Sequence, residues 1–395
     1  METQGALVRG LSKLAFEAGA GLTELVESMH LNIARSPGVF GAPLEGHAPG
    51  IAGLVYRIVS GAFKLTGGAV DAALAALEPF LGAAGPSPQM DDALAALNGV
   101  MVDHLVATGN PLAIPMRLRA DGEELHLARD ALAARFARPS RRIVVLVHGL
   151  CLSDRNWRRK AHDHGAALAR DLGYALIYLR YNSGLHVSTN GQRFADLMER
   201  LVAAWPAELE EVAIVGHSMG GLVARSSCLY GGEAKRAWLA KLQKLVFLGT
   251  PHHGAPAERA GQWIDALLGK IPYTAPFARL SRIRSAGVTD LRYGFIADED
   301  WEGRDRHENS GDTRRIVPLP KDARSFAIAG SIAPTSAGAI VGDGLVTTAS
   351  ALGRHNDPER DLSLPESQRW VAPSVNHLEL LNSPSVYEKM RSWLS

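Results

Sequence analysis

The pentapeptide Gly216-His217-Ser218-Met219-Gly220 restricts the fold more than any other feature of the chain, because of what flanks it. The apolar run Val212-Ala213-Ile214-Val215 precedes it, and residues 221 to 230 follow with the composition of a helix. A strand that enters a helix through G-x-S-x-G makes a sharp turn with the serine at its apex. The glycines are needed because bulky neighbours would collide with the adjacent strand and helix, and the serine itself is expected in a strained backbone conformation. Its hydroxyl is thereby pushed out above the sheet. The strand before the pattern and the partners after it carry the weight, since three fixed positions alone recur by chance.

Around this turn the sequence alternates between two periodicities. Runs at 142–147, 175–180, 212–215, 245–248, 325–329 and 368–371 read as strands, and 116–120 with 124–128 reads as a hairpin turned by Asp121-Gly122. Amphipathic helical stretches lie near 157–171 and 191–204, and a last helix near 384–394. Alternating βα units imply a mostly parallel sheet with helices on both faces and ligands beyond the carboxyl ends of the strands. The interval 255–323 breaks the rhythm and is rich in Arg, Asp, Gly and aromatic residues, so an inserted cap over the sheet is expected.

Residues 1–110 are a separate matter. Ala, Leu and Gly dominate, and helices are expected over 5–34, 51–82 and 89–107, with breaks at Ser36-Pro37-Gly38 and Gly85-Pro86-Ser87-Pro88. In the middle one Arg57, Lys64, Asp71 and Glu78 recur every seven residues, which lines them up on one narrow stripe and leaves the rest apolar. Such a helix needs cover. The candidates are the remaining domain (111–395), a neighbouring subunit through self-association, a lipid surface contacted peripherally, or an acyl chain for which the helix forms a funnel.

Bulk properties exclude several classes. A formal net charge of +1 offers no electrostatic footprint for nucleic acid. Cys151 and Cys228 are too few for a disulfide framework, the N-terminus has no basic cluster followed by an apolar core, and a cytoplasmic, soluble protein is the expectation. No apolar run approaches the roughly 18 uncharged residues of a spanning helix. No H-E-x-x-H or comparable spacing suggests a metal, and no cofactor motif is evident, so neither is expected.

The chemistry follows from the residues around the elbow. The strand Val144-Val145-Leu146-Val147 runs into His148-Gly149-Leu150, where the Leu150 amide could face the space above Ser218, with the Met219 amide as a second donor. Two such donors form an oxyanion hole for a tetrahedral intermediate. A serine needs a base. Of fourteen histidines, His377 follows the last strand and precedes the last helix, which gives the order Ser, acid, His. His162 and His164 are expected on a solvated helix, and His217 is expected to order the elbow. Gly342-Asp343-Gly344 fits the acid: flanking glycines let the backbone turn so that one carboxylate meets the imidazole. Asp290, Asp298, Asp300 and Asp322 are weaker candidates. His148, Gly149, His217 and His252 are the candidate substrate-contacting residues.

Together His148-Gly149-Leu150, the elbow, Gly249-Thr250-Pro251-His252-x-Gly254, Gly342-Asp343-Gly344 and His377 resemble the lipase and esterase branch of the α/β-hydrolase superfamily, over residues 114–395. Bacterial triacylglycerol lipases and glycosylphosphatidylinositol-deacylase-like esterases are the nearest in pattern. The resemblance implies an α/β-hydrolase fold with a cap; the all-helical extension expected over residues 1–110 from their composition lies outside it. It also implies a Ser218 nucleophile, a His377 base, an Asp343 orienter and an oxyanion hole at Leu150 and Met219. Serine at the elbow argues against the dehalogenase and epoxide-hydrolase branches, while the calcium site, disulfide and leader common in secreted bacterial lipases are not recognised. The implied activity is cofactor-free hydrolysis of an apolar small-molecule ester or lipid. Acyl transfer or thioester hydrolysis with the same residues is one alternative; a lipid-surface or oligomerisation protein with a vestigial hydrolase domain is another.

Overall fold

The computed structural model describes residues 94, 95, 98, 99, 106, 113–255, 285–303, 312–334 and 342–395. The three helices expected before residue 107, and the parts of the cap interval at 256–284 and 304–311, lie outside them save for a few positions. The chain divides into two compact units, 1–114 with 261–285 and 115–260 with 286–395. In the first, buried Asn98 is held at both ends of its amide: Nδ2 donates to the Leu94 carbonyl at 2.9 Å, and Oδ1 accepts from the Ile114 N–H at 2.9 Å.

The second unit is built on a sheet ordered β10-β9-β8-β7-β3-β6-β1-β2. Its strands are β1 (Arg117–Ala120), β2 (Glu123–Glu124), β3 (Arg142–Val147), β6 (Ala175–Arg180), β7 (Glu211–His217), β8 (Leu242–Leu248), β9 (Arg324–Ser331) and β10 (Arg369–Pro373). The six from β3 onward run parallel, and β1 pairs antiparallel with β6 and β2. At the centre Ile143 through Val147 and Val212 through Val215 are wholly buried. That continuous apolar character is what a parallel strand covered on both faces requires. Asp121 and Gly122 both take positive φ, 49° and 83°, the conformation of a two-residue hairpin turn. The second hairpin strand is shorter than the expected 124–128. After Leu125 donates to the Leu118 carbonyl at 2.8 Å the chain leaves this exposed edge and enters α1 (Arg129–Arg135).

Two other boundaries move for local reasons. The helix expected at 157–171 is α2 (His164–Leu172); ahead of it Arg158–Arg159 (β4) and His162–Asp163 (β5) pair through a turn at Lys160 and Ala161, both with positive φ. Asp163 then caps the helix by accepting the Ala166 N–H at 3.0 Å. The helix expected from 191 is α3 (Val187–Ala204), one turn longer, because Asp290 of α5 (Ala286–Tyr293) accepts the Val187 N–H at 2.7 Å. A cap supplied from a hundred residues away leaves no local signature.

α2 packs with α6 (Pro384–Leu394), and α3 packs with α4 (Met219–Glu233), which lies against β7. The α3–α4 approach is close at Gly191, where a Cβ would stand 2.2 Å from Ser226 Oγ. Among the described residues no helix is long and apolar enough to cross a membrane.

Candidate active site

Ser218 is the residue between β7 and α4, with φ 54° and ψ −124°. That region is costly for any residue with a Cβ. It is held because Ser218 N–H donates to the Leu248 carbonyl at 2.8 Å and because the glycines on either side admit neighbours that no side chain would. A Cβ on Gly216 would lie 2.6 Å from Gly221 Cα, and one on Gly220 would lie 2.2 Å from the Val147 carbonyl oxygen. Close packing of α4 on the end of β3 thus sets the elbow. Ser218 Oγ is buried and without a hydrogen-bond partner among the described residues.

The loop after β3 meets the elbow at Gly149, whose Cβ, if it had one, would touch Ser218 Cβ at 3.0 Å. The loop is pinned by Cys151 N–H donating to Ser183 Oγ at 2.9 Å and by Leu152 N–H donating to the Gly149 carbonyl at 3.3 Å, with Cys151 itself at φ 58°. The Leu150 amide, just ahead of these two, donates to no backbone carbonyl among the described residues. Met219 is the first residue of α4, so its N–H has no acceptor within the helix, and the positive end of the helix dipole lies there.

His377 lies in the loop after β10. Its Nδ1 donates to Asp343 Oδ2 at 2.7 Å, and both side chains are buried. The other carboxylate oxygen accepts the N–H groups of Leu345 at 3.0 Å and Val346 at 2.8 Å, and His377 N–H returns to the Asp343 carbonyl at 3.1 Å. Gly342 and Gly344 have φ 68° and 95°, the left-handed region that lets the chain double back so sharply. The pair passes over the end of β8 at Gly249, where a Cβ would come within 3.0 Å of Asp343 Oδ2 and 3.1 Å of His377 Nδ1. Since Ser218 is bonded to the residue before Gly249, the ends of β7 and β8 bring all three side chains into one neighbourhood.

The neighbouring histidines are neutral fixtures of this frame. His217 Nε2 donates to the His377 carbonyl at 3.0 Å, tying the elbow to the loop that carries the imidazole. Burial first, and then the nearby His377, hold its own imidazole well below the usual range. His148 Nδ1 donates to the Gly149 carbonyl at 2.9 Å, while its ring stacks on Tyr181 at 4.3 Å between centroids. The Tyr181 hydroxyl donates to the His148 carbonyl at 2.8 Å, and burial lowers the His148 pKa to about 3. Neither Tyr181 nor Ser183 has a local signature of this supporting role, since both act across strands.

One expectation about the histidines is corrected, and the surroundings of another are now defined. His164 is not solvated: it is fully buried at the start of α2, with Nε2 against the Leu380 carbonyl at 2.9 Å and Nδ1 against His162 at 2.8 Å. The intervening hairpin β4–β5 turns these histidines inward. His252, expected against the substrate, is placed by the turn after Pro251 against Phe247, with ring centroids 4.7 Å apart, and beside Arg225. Asp290 accepts from His186 Nδ1 at 3.0 Å and from the Val187 N–H, and Asp300 from the Ile296 and Ala297 N–H groups, so neither takes the place of Asp343 at His377.

The described residues contain no cluster of acidic, histidine or cysteine side chains arranged to hold a metal. Compared with known proteins, residues 138–310 match the PGAP1-like alpha/beta domain family. No curated protein sequence matches the chain. Among solved structures, the mature form of Bacillus licheniformis lipase BlEst2 is similar at 17% identity and a TM-score of 0.45, over 71% of this chain and 98% of that one. A thermophilic esterase from Thermogutta terrifontis is similar at 15% identity and a TM-score of 0.37, over 64% and 88%. Aspergillus fumigatus lipase B is similar at 12% identity and a TM-score of 0.38, over 68% and 57%.

Proposed function

We propose that this protein, an α/β-hydrolase of the lipase and esterase branch, is a serine carboxylic-ester hydrolase acting on an apolar ester through an acyl-serine intermediate. The observation that carries the reading is the buried Asp343–His377 hydrogen bond of 2.7 Å beside a serine held at φ 54°. The two features coming together at the ends of β7 and β8 support the reading, since either alone also occurs elsewhere in the fold, as in the His186–Asp290 pair and at Cys151. In this reading Ser218 Oγ attacks the ester carbonyl carbon as His377 Nε2 takes its proton, and the tetrahedral oxyanion is met by the Leu150 and Met219 amides. The intermediate collapses, and the alcohol leaves with the proton from His377. Water then attacks the acyl-serine by the same path and releases the acid. Asp343 keeps Nδ1 protonated and steadies the imidazolium, so that Nε2 carries the lone pair that takes the proton.

Transfer of the acyl group to another alcohol, or thioester cleavage, would use the same groups; products formed with added alcohol or thiol donors separate these outcomes. The direct test of the hydrolytic reading is Ser218→Ala. Hydrolysis of short p-nitrophenyl esters should fall to background in a protein with an unchanged melting curve. Wild-type turnover in that variant would remove the proposal.

A further inference from the structure

The loop that carries Leu150 lies in no strand or helix, yet three consecutive peptide planes in it are each fixed by a side chain. Tyr181 Oη donates to the His148 carbonyl at 2.8 Å, His148 Nδ1 donates to the Gly149 carbonyl at 2.9 Å, and the Cys151 N–H donates to Ser183 Oγ at 2.9 Å. These are the planes before, at and after the Leu150 N–H. Tyr181 and Ser183 both belong to the segment directly after β6.

The middle plane decides where the Leu150 N–H points. In a planar trans peptide the C=O and N–H point in opposite directions, so whatever fixes the Gly149 carbonyl also aims the Leu150 N–H. That carbonyl is taken by His148 Nδ1 and, at 3.3 Å, by the Leu152 N–H. The Leu150 N–H is left facing the other way, with no backbone carbonyl to receive it among the described residues. Because a Cβ on Gly149 would lie 3.0 Å from Ser218 Cβ, this donor stands beside the elbow.

Only one tautomer of His148 holds the plane in this way. The Tyr181 N–H reaches His148 Nε2 at 3.4 Å, and a backbone N–H only donates, so Nε2 holds the lone pair and Nδ1 the proton. Burial keeps the His148 imidazole neutral, with a pKa of about 3, and pushes the Tyr181 phenol up, so that it stays a donor. Tyr181 therefore sets the tautomer through its N–H, the ring plane through stacking at 4.3 Å, and the preceding peptide through its hydroxyl. Ser183 holds the following peptide at Cys151, whose φ of 58° is costly for a residue with a Cβ.

We infer that Tyr181 and Ser183 are positioning residues of the oxyanion hole, acting through His148 and Cys151 to aim the Leu150 N–H at the tetrahedral oxygen. The inference rests on the ester-hydrolase reading of Ser218. Neither side chain touches the reacting atoms.

Tyr181→Phe, which keeps the ring and the N–H, and Ser183→Ala test it in the full chain. The measurement is turnover of short p-nitrophenyl esters per active site titrated with a fluorophosphonate. Removing an oxyanion donor outright costs about 10²–10³, so misaiming one should lower kcat about 10-fold in each variant, with KM changing by less than about twofold. An alkyl trifluoromethyl ketone gives a separate readout. Ser218 Oγ adds to its carbonyl carbon, the serine proton passes to His377 and the π pair to the oxygen, so the adduct carries the same oxyanion. Its inhibition constant should rise by the factor by which kcat/KM falls. A merely structural role would lower the melting temperature and the titratable fraction but leave kcat per site and the inhibition constant unchanged, and that result overturns the inference. If Ser183→Ala fails to fold by circular dichroism, Tyr181→Phe decides. No ester turnover by the wild-type protein, or full turnover by Ser218→Ala, overturns the hydrolase reading and this inference with it.

Discussion

At the scale of single residues the proposed mechanism depends on which nitrogen of His377 carries a proton. Asp343 enforces this with its oxygens divided between the imidazole and two backbone N–H groups. Asp343→Asn would keep the size but change the division. Its carbonyl would take the Leu345 and Val346 N–H groups and its amide would face His377, which forces the proton onto Nε2 and leaves no base for Ser218. A fall in kcat/KM of roughly 10⁴ at neutral pH is expected, with little change in KM. Full activity would place the acid elsewhere. His377→Ala should be about as damaging as Ser218→Ala, and the double variant little worse than either, because groups acting as one unit are not additive. Additive losses in the three assays would argue against a shared step.

At the scale of elements, the turn from β7 into α4 is set by packing, whatever its chemistry. Gly220→Ala puts a methyl 2.2 Å from the Val147 carbonyl oxygen and 2.6 Å from that of His148, both backbone atoms that cannot step aside. A loss of about 2–3 kcal/mol in stability is expected, together with displacement of the loop that bears Leu150. Gly232, near the other end of the same helix, has nothing closer than 4.0 Å to such a methyl. Gly232→Ala should stabilise by about 0.5 kcal/mol through helix propensity alone. Denaturant melts of the two variants check the contrast; equal effects would mean that the contact with β3 does not set the elbow. The lengthened α3 teaches a related lesson, since its first turn exists through a remote carboxylate, Asp290, and not through its own residues.

At the scale of the whole molecule, stability should depend on buried neutral histidines. Burial lowers His148 and His164 to about 3 and His253 to about 4, and holds His217 and His252 well down. In the unfolded chain all five would titrate near the ordinary value of about 6.5. The unfolded state then binds more protons than the folded one below that pH, so stability is complete above it and is lost as pH falls toward the folded values. Each such group removes up to about 1.4 kcal/mol per pH unit in that window. The melting temperature should therefore drop by many degrees between pH 7.5 and pH 5. A flat profile would mean that these imidazoles reach solvent.

The sequence by itself determined the mostly parallel sheet, the elbow at Ser218 and the identity of the glycines around it. Those features rest on local causes: unbroken apolar runs for buried strands, and positions where only a hydrogen fits between backbones. Gly342-Asp343-Gly344 and His377 were legible as a turn and a late loop, each in the right order along the chain. Only the tertiary structure decided that they meet, because a 2.7 Å contact between residues 34 apart depends on a glycine, Gly249, directly after β8 that both pass over. The same holds for the inward turn of His164, the placement of His252 beside Arg225, and the capping of α3 by Asp290. In each, the partner is supplied by a strand or helix distant in sequence, and no periodicity records which distant group will arrive.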